Sequence, residues 1–368
     1  MSYKDLFEVP PGGPYLLAHS VGCLPARSRA AFNDTVLKPW AQKGGDAWPD
    51  WLAAIDDFRS ALAQLLGGRM DDYCPQPNLS AALYSLLSAL PRREGCNVIV
   101  ASAHSFPSLG FVMQQADSLG LTLELIPEDR DPGDLDTWDQ ALRNDVAAVL
   151  VMHVHSNTNV ASPVAEIAEI ARSRGIFSII DVAQSAGILP IDVATLGADA
   201  IIGSCVKWLC GGPGAGFLWV DPTGINDLHP RNVGWFSHEA PFEFDIRDFR
   251  YAPDARRFWG GTPSIAPCVL AASGIGLINE IGVPAILAHN RSLIAHIASQ
   301  APDHLRPQFD RTARGGTICL QPGAGIDRMA AALTERNCKF DRRGETLRLS
   351  FHLWNDQTDA DLVAEAMR

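Results

Sequence analysis

The sequence predicts an α/β fold, a large domain built on a mainly parallel sheet and followed by a smaller C-terminal α/β domain. Three observations lead there. From about residue 15 to residue 220, short apolar runs alternate with amphipathic segments. Those runs are continuous rather than alternating, which marks strands buried on both faces and hence a sheet with helices on either side. After Val220 the pattern changes to a connection rich in Pro, Gly and aromatic residues, then to long helices and a mixed tail.

The elements follow in order. Leu79 to Leu90 reads as a helix and Asn97-Val-Ile-Val-Ala101 as a buried strand. Phe111 to Leu119 is helical, Leu121 to Ile126 a strand, and Leu135 to Asn144 a helix. Ala147 to Val154 is again a strand, Val164 to Arg174 a helix, and Phe177 to Ile180 a strand. Ala200 to Gly203 and Gly216 to Val220 complete a sheet of the seven-stranded type. Residues 221–265 read as an extended connection, and Ser264 to Gln300 as a helical stretch interrupted at Gly282-Val-Pro284. The tail from Thr317 reads strand, helix (Ile326 to Asn337), strand (Leu347 to Phe351), helix (Thr358 to Met367). The expected division is a large domain over residues 1–240 and a small one over 241–368.

Composition narrows the function. A length of 368 residues allows a large core and two domains, and 47% hydrophobic with 20% charged residues is ordinary for a globular enzyme. A net charge of −12 argues against a nucleic-acid binder, which must neutralise phosphates. Eight cysteines lie scattered without CxxC pairs, as expected of reduced thiols in a cytoplasmic protein. The first residues show no apolar secretory segment, and no apolar run reaches membrane-spanning length, so neither export nor a membrane partner is expected.

Two residues carry the chemistry. The strand at Ser178-Ile-Ile-Asp-Val-Ala-Gln184 ends on the carboxylate of Asp181. Twenty-six residues on, Lys207 stands between an apolar strand and the turn Gly211-Gly-Pro-Gly214. In a parallel sheet, ligands sit beyond the carboxyl ends of the strands, and both residues fall there. An amine and a carboxylate so placed are what a pyridoxal phosphate enzyme needs, one for a Schiff base and one for the protonated pyridine nitrogen. The competing readings are a snorkelling lysine and an aspartate that caps the next element. His153-Val-His155 has the strand spacing of a metal pair but no carboxylate or cysteine partner, so no metal is expected.

These motifs resemble the class V group of fold-type I pyridoxal phosphate enzymes, which includes kynureninases, cysteine desulfurases and isopenicillin N epimerases. The resemblance runs from Leu17-Ala-His-Ser-Val-Gly22 to Leu347-Arg-Leu-Ser-Phe351 and is strongest from Asp181 to Gly216. Ser105-Phe-Pro-Ser108, Gly234-Trp-Phe-Ser-His238 and Arg257-Phe-Trp-Gly-Gly-Thr-Pro263 look most like kynureninase. The resemblance implies pyridoxal 5′-phosphate on Lys207, with Asp181 at the ring nitrogen, Gln184 at the phenolic oxygen and Phe106 stacked on the ring. It implies a phosphate held by Leu79 and Ser80 at a helix start and by the Ser204 hydroxyl. It implies Trp235 and Thr262 reaching the phosphate from a neighbouring subunit, hence a homodimer with shared sites. Substrate binding falls to Arg348, whose fork suits a carboxylate, and to His19.

The chain also departs from these relatives. Val206 stands where kynureninases carry tyrosine and desulfurases histidine, and valine can neither bind phosphate nor move a proton. Leu109 replaces a kynureninase aspartate, and Gln184 a histidine. No cysteine stands in a mobile-loop context before Arg348, and Cys338 reads as core. The expectation is a lyase with kynureninase-like chemistry on a modified amino acid, by elimination, Cβ cleavage or decarboxylation. The alternatives are an aminotransferase or epimerase, or an inactive binding protein of the same fold.

Overall fold

The computed structural model describes residues 3–310 and 313–368. A long amphipathic helix, Trp48–Leu66 (α1), precedes the sheet and is not signalled by the apolar runs. Strands Tyr73–Gln76 (β1), Val98–Ser102 (β2), Thr122–Ile126 (β3), Val146–Met152 (β4), Phe177–Asp181 (β5), Ala200–Ser204 (β6) and Gly216–Val220 (β7) form one sheet. Its order is β1-β7-β6-β5-β4-β2-β3. Strands β2 to β6 run parallel, and β7 is antiparallel to both β6 and β1. The reversal has a simple cause. A parallel return needs a crossover of a dozen or more residues, usually helical, and the segment joining β6 to β7 is a short run of turns.

Both faces of the sheet are covered, which is why its strands read as unbroken apolar runs. Val149, Ile180 and Ile201 pack on one side with Phe58 of α1 and Ile167 of helix Val164–Ser173 (α2). Their neighbours Leu150, Ile179 and Ile202 pack on the other with Leu83 of helix Leu79–Ala89 (α3) and Leu109 of helix Pro107–Gln114 (α4). Helix α4 begins four residues before the expected Phe111, because Pro107 takes a first-turn position where its missing N–H costs nothing. Leu109 is a buried core residue.

Helix Ile265–Ile281 (α5) places Cys268, Ala271 and Ile275 in the core of the large sheet. The chain then bends by 79° into helix Val283–Gln300 (α6), with Gly282 at a φ of 87° in the joint. Leu293, Ile294 and Ile297 of α6 enter a second core around a small antiparallel sheet. That sheet has strands Thr317–Leu320 (β8), Asp341–Arg343 (β9) and Thr346–Ser350 (β10) in the order β8-β10-β9. Helices Ile326–Glu335 (α7) and Gln357–Ala366 (α8) flank it. Strand β9 adds to the elements expected of the tail. The N-terminal arm returns to this sheet, with Leu17 bridging Ser350 and Leu16 fully buried in its core. Among the described residues no single helix is long and apolar enough to cross a membrane.

Candidate functional site

Strands β2, β4, β5 and β6 are parallel neighbours, so their carboxyl ends lie side by side. These ends deliver Phe106 after β2, Asp181 as the last residue of β5, and Ser204 as the last residue of β6 with Lys207 just beyond it, and they bring His153 there after β4. Strand β1 points the same way, and α3 follows it, so Leu79 and Ser80 open their helix at this same edge. Asn78 caps that helix by accepting from Ala81 N–H at 2.9 Å, which leaves the amides of Leu79 and Ser80 facing the edge.

Lys207, half-buried, and the buried Asp181 perturb one another. Desolvation pushes the lysine pKa down, Asp181 opposes that shift, and Arg348 and Arg343 add to it. Desolvation raises the pKa of Asp181, opposed by Lys207 and by the 2.7 Å hydrogen bond from Ala183 N–H. The lysine Nζ stands 5.5 Å from the centre of the Phe106 ring. Around them, His153 Nδ1 and Gln184 Oε1 are buried without a hydrogen-bond partner. Burial lowers the pKa of His153 to about 4, so its ring is neutral. Gln184 is tied through Nε2 to the carbonyl of His19 at 3.1 Å. Unsatisfied buried polar atoms are costly, and two at a strand-end edge mark a place built for a polar ligand.

The lysine turn is clamped from both ends of the chain. Gly22 N–H donates to Val206 O at 2.8 Å, and a Cβ on Gly22 would meet Lys207 O at 2.2 Å, so no larger residue fits there. Val206, the unusual neighbour of the lysine, thus serves through its backbone. From the other side, His352 Nε2 meets Trp208 O at 3.2 Å, and its ring stacks with Trp354 and Trp208. Leu353 N–H donates to His352 Nδ1, which fixes the neutral tautomer with its proton on Nε2. Burial pushes the pKa of this histidine down to about 3.

The small sheet supplies the opposite wall. Arg348 is 1% exposed and donates to the Asp341 carboxylate and to Ser156 O at 2.9 Å. His19 donates through Nδ1 to Ser350 Oγ at 2.8 Å, since that hydroxyl itself donates to Leu16 O. Its Nε2 is therefore an acceptor without a partner. The Asp341 carboxylate lies 3.7 Å from this nitrogen, yet burial and the cations Arg348, Lys207 and Arg343 outweigh it and hold His19 neutral. Arg343 lies over Phe106 at 5.8 Å and donates to Asn157 Oδ1 at 2.8 Å. Sequence reasoning missed Asp341 and Arg343. The available signal was the two-residue spacing of Asp341 and Arg343, which in a strand puts both on the face that carries Arg348.

Trp235 and Thr262 lie apart from this wall. Trp235 sits among Trp48, Phe236, Phe242 and Phe244, and Thr262 is exposed before α5. Their two loops are joined, with Phe236 N–H donating to Gly260 O at 3.0 Å and Gly260 N–H to Ser237 Oγ at 2.9 Å. A cleft of about 590 Å³ between the two domains reaches Asn157 and Cys319 but is not lined by Lys207 or Asp181. The chemistry belongs to the strand-end edge. Cys338 lies in the small-domain core, and Cys319, cross-strand from Arg348, is held as a thiol by burial, its pKa pushed up to about 12. Among the described residues no group of three or more His, Cys, Asp or Glu could hold a metal ion.

Residues 77–363 match the family model described as aminotransferase class-V. An uncharacterized aminotransferase YcbU of Bacillus subtilis is 29% identical over 86% of this chain and 83% of its own length. A kynureninase of Deinococcus radiodurans is 30% identical over 85% of this chain and 78% of its own. Among solved structures, a lysine-to-alanine variant of C-DES, with glycine covalently linked to its PLP cofactor, superposes with a TM-score of 0.87 at 19% identity, covering 99% of this chain and 98% of its own. An apo cysteine desulfurase from Thermococcus onnurineus gives 0.82 at 23% identity, covering 96% and 94%. At those identities the structures speak for the fold.

Proposed function

The chain belongs to the aminotransferase class-V family, and from that premise we propose that it is a lyase that cleaves or eliminates at an amino-acid substrate, with chemistry of the kynureninase kind. As a member of that family it is a pyridoxal phosphate enzyme. The strand-end edge fits the cofactor, offering an amine, a buried carboxylate, a ring face and partnerless polar atoms together. When bound, the cofactor supplies an electron sink for the bond broken on the substrate.

Each residue then has a task. Lys207 holds the cofactor through its amine and later moves the proton at Cα, a role helped by a pKa lowered through burial. Asp181 keeps a proton on the pyridine nitrogen. Phe106 covers a ring face, and Gln184 offers a contact to the phenolic oxygen. Leu79 and Ser80 amides and the Ser204 hydroxyl hold the phosphate. The small-sheet face, with Arg348 and the free acceptor of His19, holds the amino acid. A homodimer completes the site. The joined loops carry Trp235 and Thr262 beside exposed Phe242, Phe244 and Ile246, and such an apolar patch suits a second copy.

The observation that carries this reading is that neighbouring parallel strands deliver Asp181 and Lys207 to one edge, with the lysine Nζ 5.5 Å from the centre of the Phe106 ring. The test is a screen of amino acids by mass spectrometry with the cofactor-loaded protein. Release of pyruvate or alanine supports lysis, whereas conversion of the cofactor to its amine form assigns an aminotransferase instead. Protein that takes up no borohydride-reducible cofactor on Lys207 would sink the enzyme reading.

A further inference from the structure

We propose that His352 is a positioning residue for Lys207: its ring N–H holds the carbonyl of Trp208 and so ties the lysine turn to strand β10, which carries Arg348. This rests on the role given to Lys207 under the proposed function.

Lys207 lies beyond the end of β6, in a turn, so the ladder of the sheet does not fix its backbone. Three carbonyls in succession do. That of Lys207 accepts from Cys210 N–H at 3.0 Å within the turn, and that of Val206 accepts from Gly22 N–H at 2.8 Å. The carbonyl of Trp208 accepts from His352 Nε2 at 3.2 Å and, as a weaker contact, from Cys210 Sγ at 3.8 Å. Both neighbours of the lysine are thus held from outside the turn, one by the N-terminal arm and one by the small domain.

The imidazole is built as a fixed donor. It is fully buried, with Trp354 stacked on it at 4.5 Å, Trp208 at 5.8 Å and Phe7 against its edge. Its backbone is pinned as well, since His352 N–H donates to Asn355 Oδ1 at 3.0 Å and Phe351 O accepts from Asn290 of α6 at 2.8 Å. Packing alone would favour an apolar ring here, because a buried polar group is unfavourable unless it is hydrogen-bonded. Both ring nitrogens are bonded, and one bond goes to the lysine turn. Alternate residues of β10 and its extension then hold three parts of the site. Arg348 faces the substrate, Ser350 Oγ accepts from His19 N–H of the arm at 3.0 Å, and His352 holds the turn. The separation of the amine from the arginine is set through this one segment. A displacement of 1 Å between reacting groups costs up to about 10^2-fold in rate.

The test separates the N–H from the ring. His352→Phe keeps an aromatic ring in the stack and removes the donor, whereas His352→Gln keeps a donor. In cofactor-free protein, reductive methylation of Lys207 is followed against pH by peptide mass spectrometry. Wild type is expected to titrate below the ordinary lysine value of 10.5, because burial, Arg348 and Arg343 outweigh Asp181. The midpoint is expected to rise toward 10.5 in His352→Phe and to stay at the wild-type value in His352→Gln. In cofactor-loaded protein in D2O, the Cα proton of L-alanine is removed by the amine and replaced by a deuteron from solvent. That exchange is expected to slow by roughly 10- to 100-fold in His352→Phe, with alanine affinity within about twofold of wild type, and to stay within about fivefold in His352→Gln. An unmoved lysine midpoint in His352→Phe, or exchange as slow with glutamine as with phenylalanine, would overturn the assignment. Should the phenylalanine variant not fold, His352→Gln decides alone: a wild-type lysine midpoint supports the hydrogen bond, and a raised one overturns it. Absence of exchange in wild type, with its lysine midpoint lowered, would speak against the functional reading and not against the positioning.

Discussion

At the strand-end edge the large-domain wall holds two interacting groups, the buried Asp181 and the half-buried Lys207, whereas the small-domain wall gathers the charged Asp341, Arg343 and Arg348 around the neutral His19. On the first wall desolvation dominates, and each pKa moves because the charged form is poorly solvated. On the second the charges answer one another, and what matters is which cation is already spoken for. The contrast separates labour. One wall sets protonation for bond breaking, and the other sorts ligands by charge.

The largest expected effects lie on the first wall. Lys207→Ala should lower turnover by on the order of 10^4-fold, with an unchanged far-ultraviolet dichroism spectrum, because the amine both anchors the cofactor and moves the proton. If turnover survived, the division between the walls would fail at once. Asp181→Asn keeps the 2.7 Å acceptor for Ala183 N–H but removes the charge. It should lower kcat by about 10^2-fold while leaving intact the preference of the cofactor-loaded protein for L-alanine over ethylamine, two amines that differ by the carboxylate alone. A changed preference would mean that the two walls are electrostatically one unit.

How far these walls are legible in the sequence differs for the same reason. Asp181 and Lys207 end unbroken apolar strands, and a charge in that position announces itself. The parallel arrangement followed from those runs, because alternate residues such as Val149 and Leu150 pack on opposite faces of the sheet. Strand β1 was less visible, since Pro75 breaks the strand pattern and is tolerated there because β1 pairs on one side only. The reversed direction of β7 is set by a short connection, which a run of apolar residues does not encode. Asp341 and Arg343 lie in a three-residue strand whose composition reads as surface. Only the register against Arg348 and the approach of Ser156 and Asn157 make them a site.

The seam between the walls offers a subtler test. His352 is buried in the ring stack behind Trp208, its pKa lowered from the ordinary 6.5 to about 3. A group whose folded pKa is depressed leaves the native state short of a proton that the unfolded chain accepts. Stability is therefore full above pH 6.5 and falls as pH drops toward 3. The expected slope is about 1.4 kcal/mol per pH unit for this one group. His352→Gln keeps an N–H for Trp208 O and cannot titrate, so its urea midpoint should fall less steeply between about pH 6.5 and about pH 5. Equal slopes in both proteins would remove His352 from the pH response.

The smallest effect concerns the helix that opens at the phosphate end of the large-domain wall. Asn78→Ala removes the acceptor for Ala81 N–H and should cost about 1 kcal/mol of stability in a denaturant titration. Cofactor affinity should change little, because the amides assigned to the phosphate are those of Leu79 and Ser80, ahead of the capped one. A large loss of cofactor with small loss of stability would place Asn78 itself on the phosphate. The first wall would then depend on a side chain at its phosphate end rather than on backbone amides and the Ser204 hydroxyl.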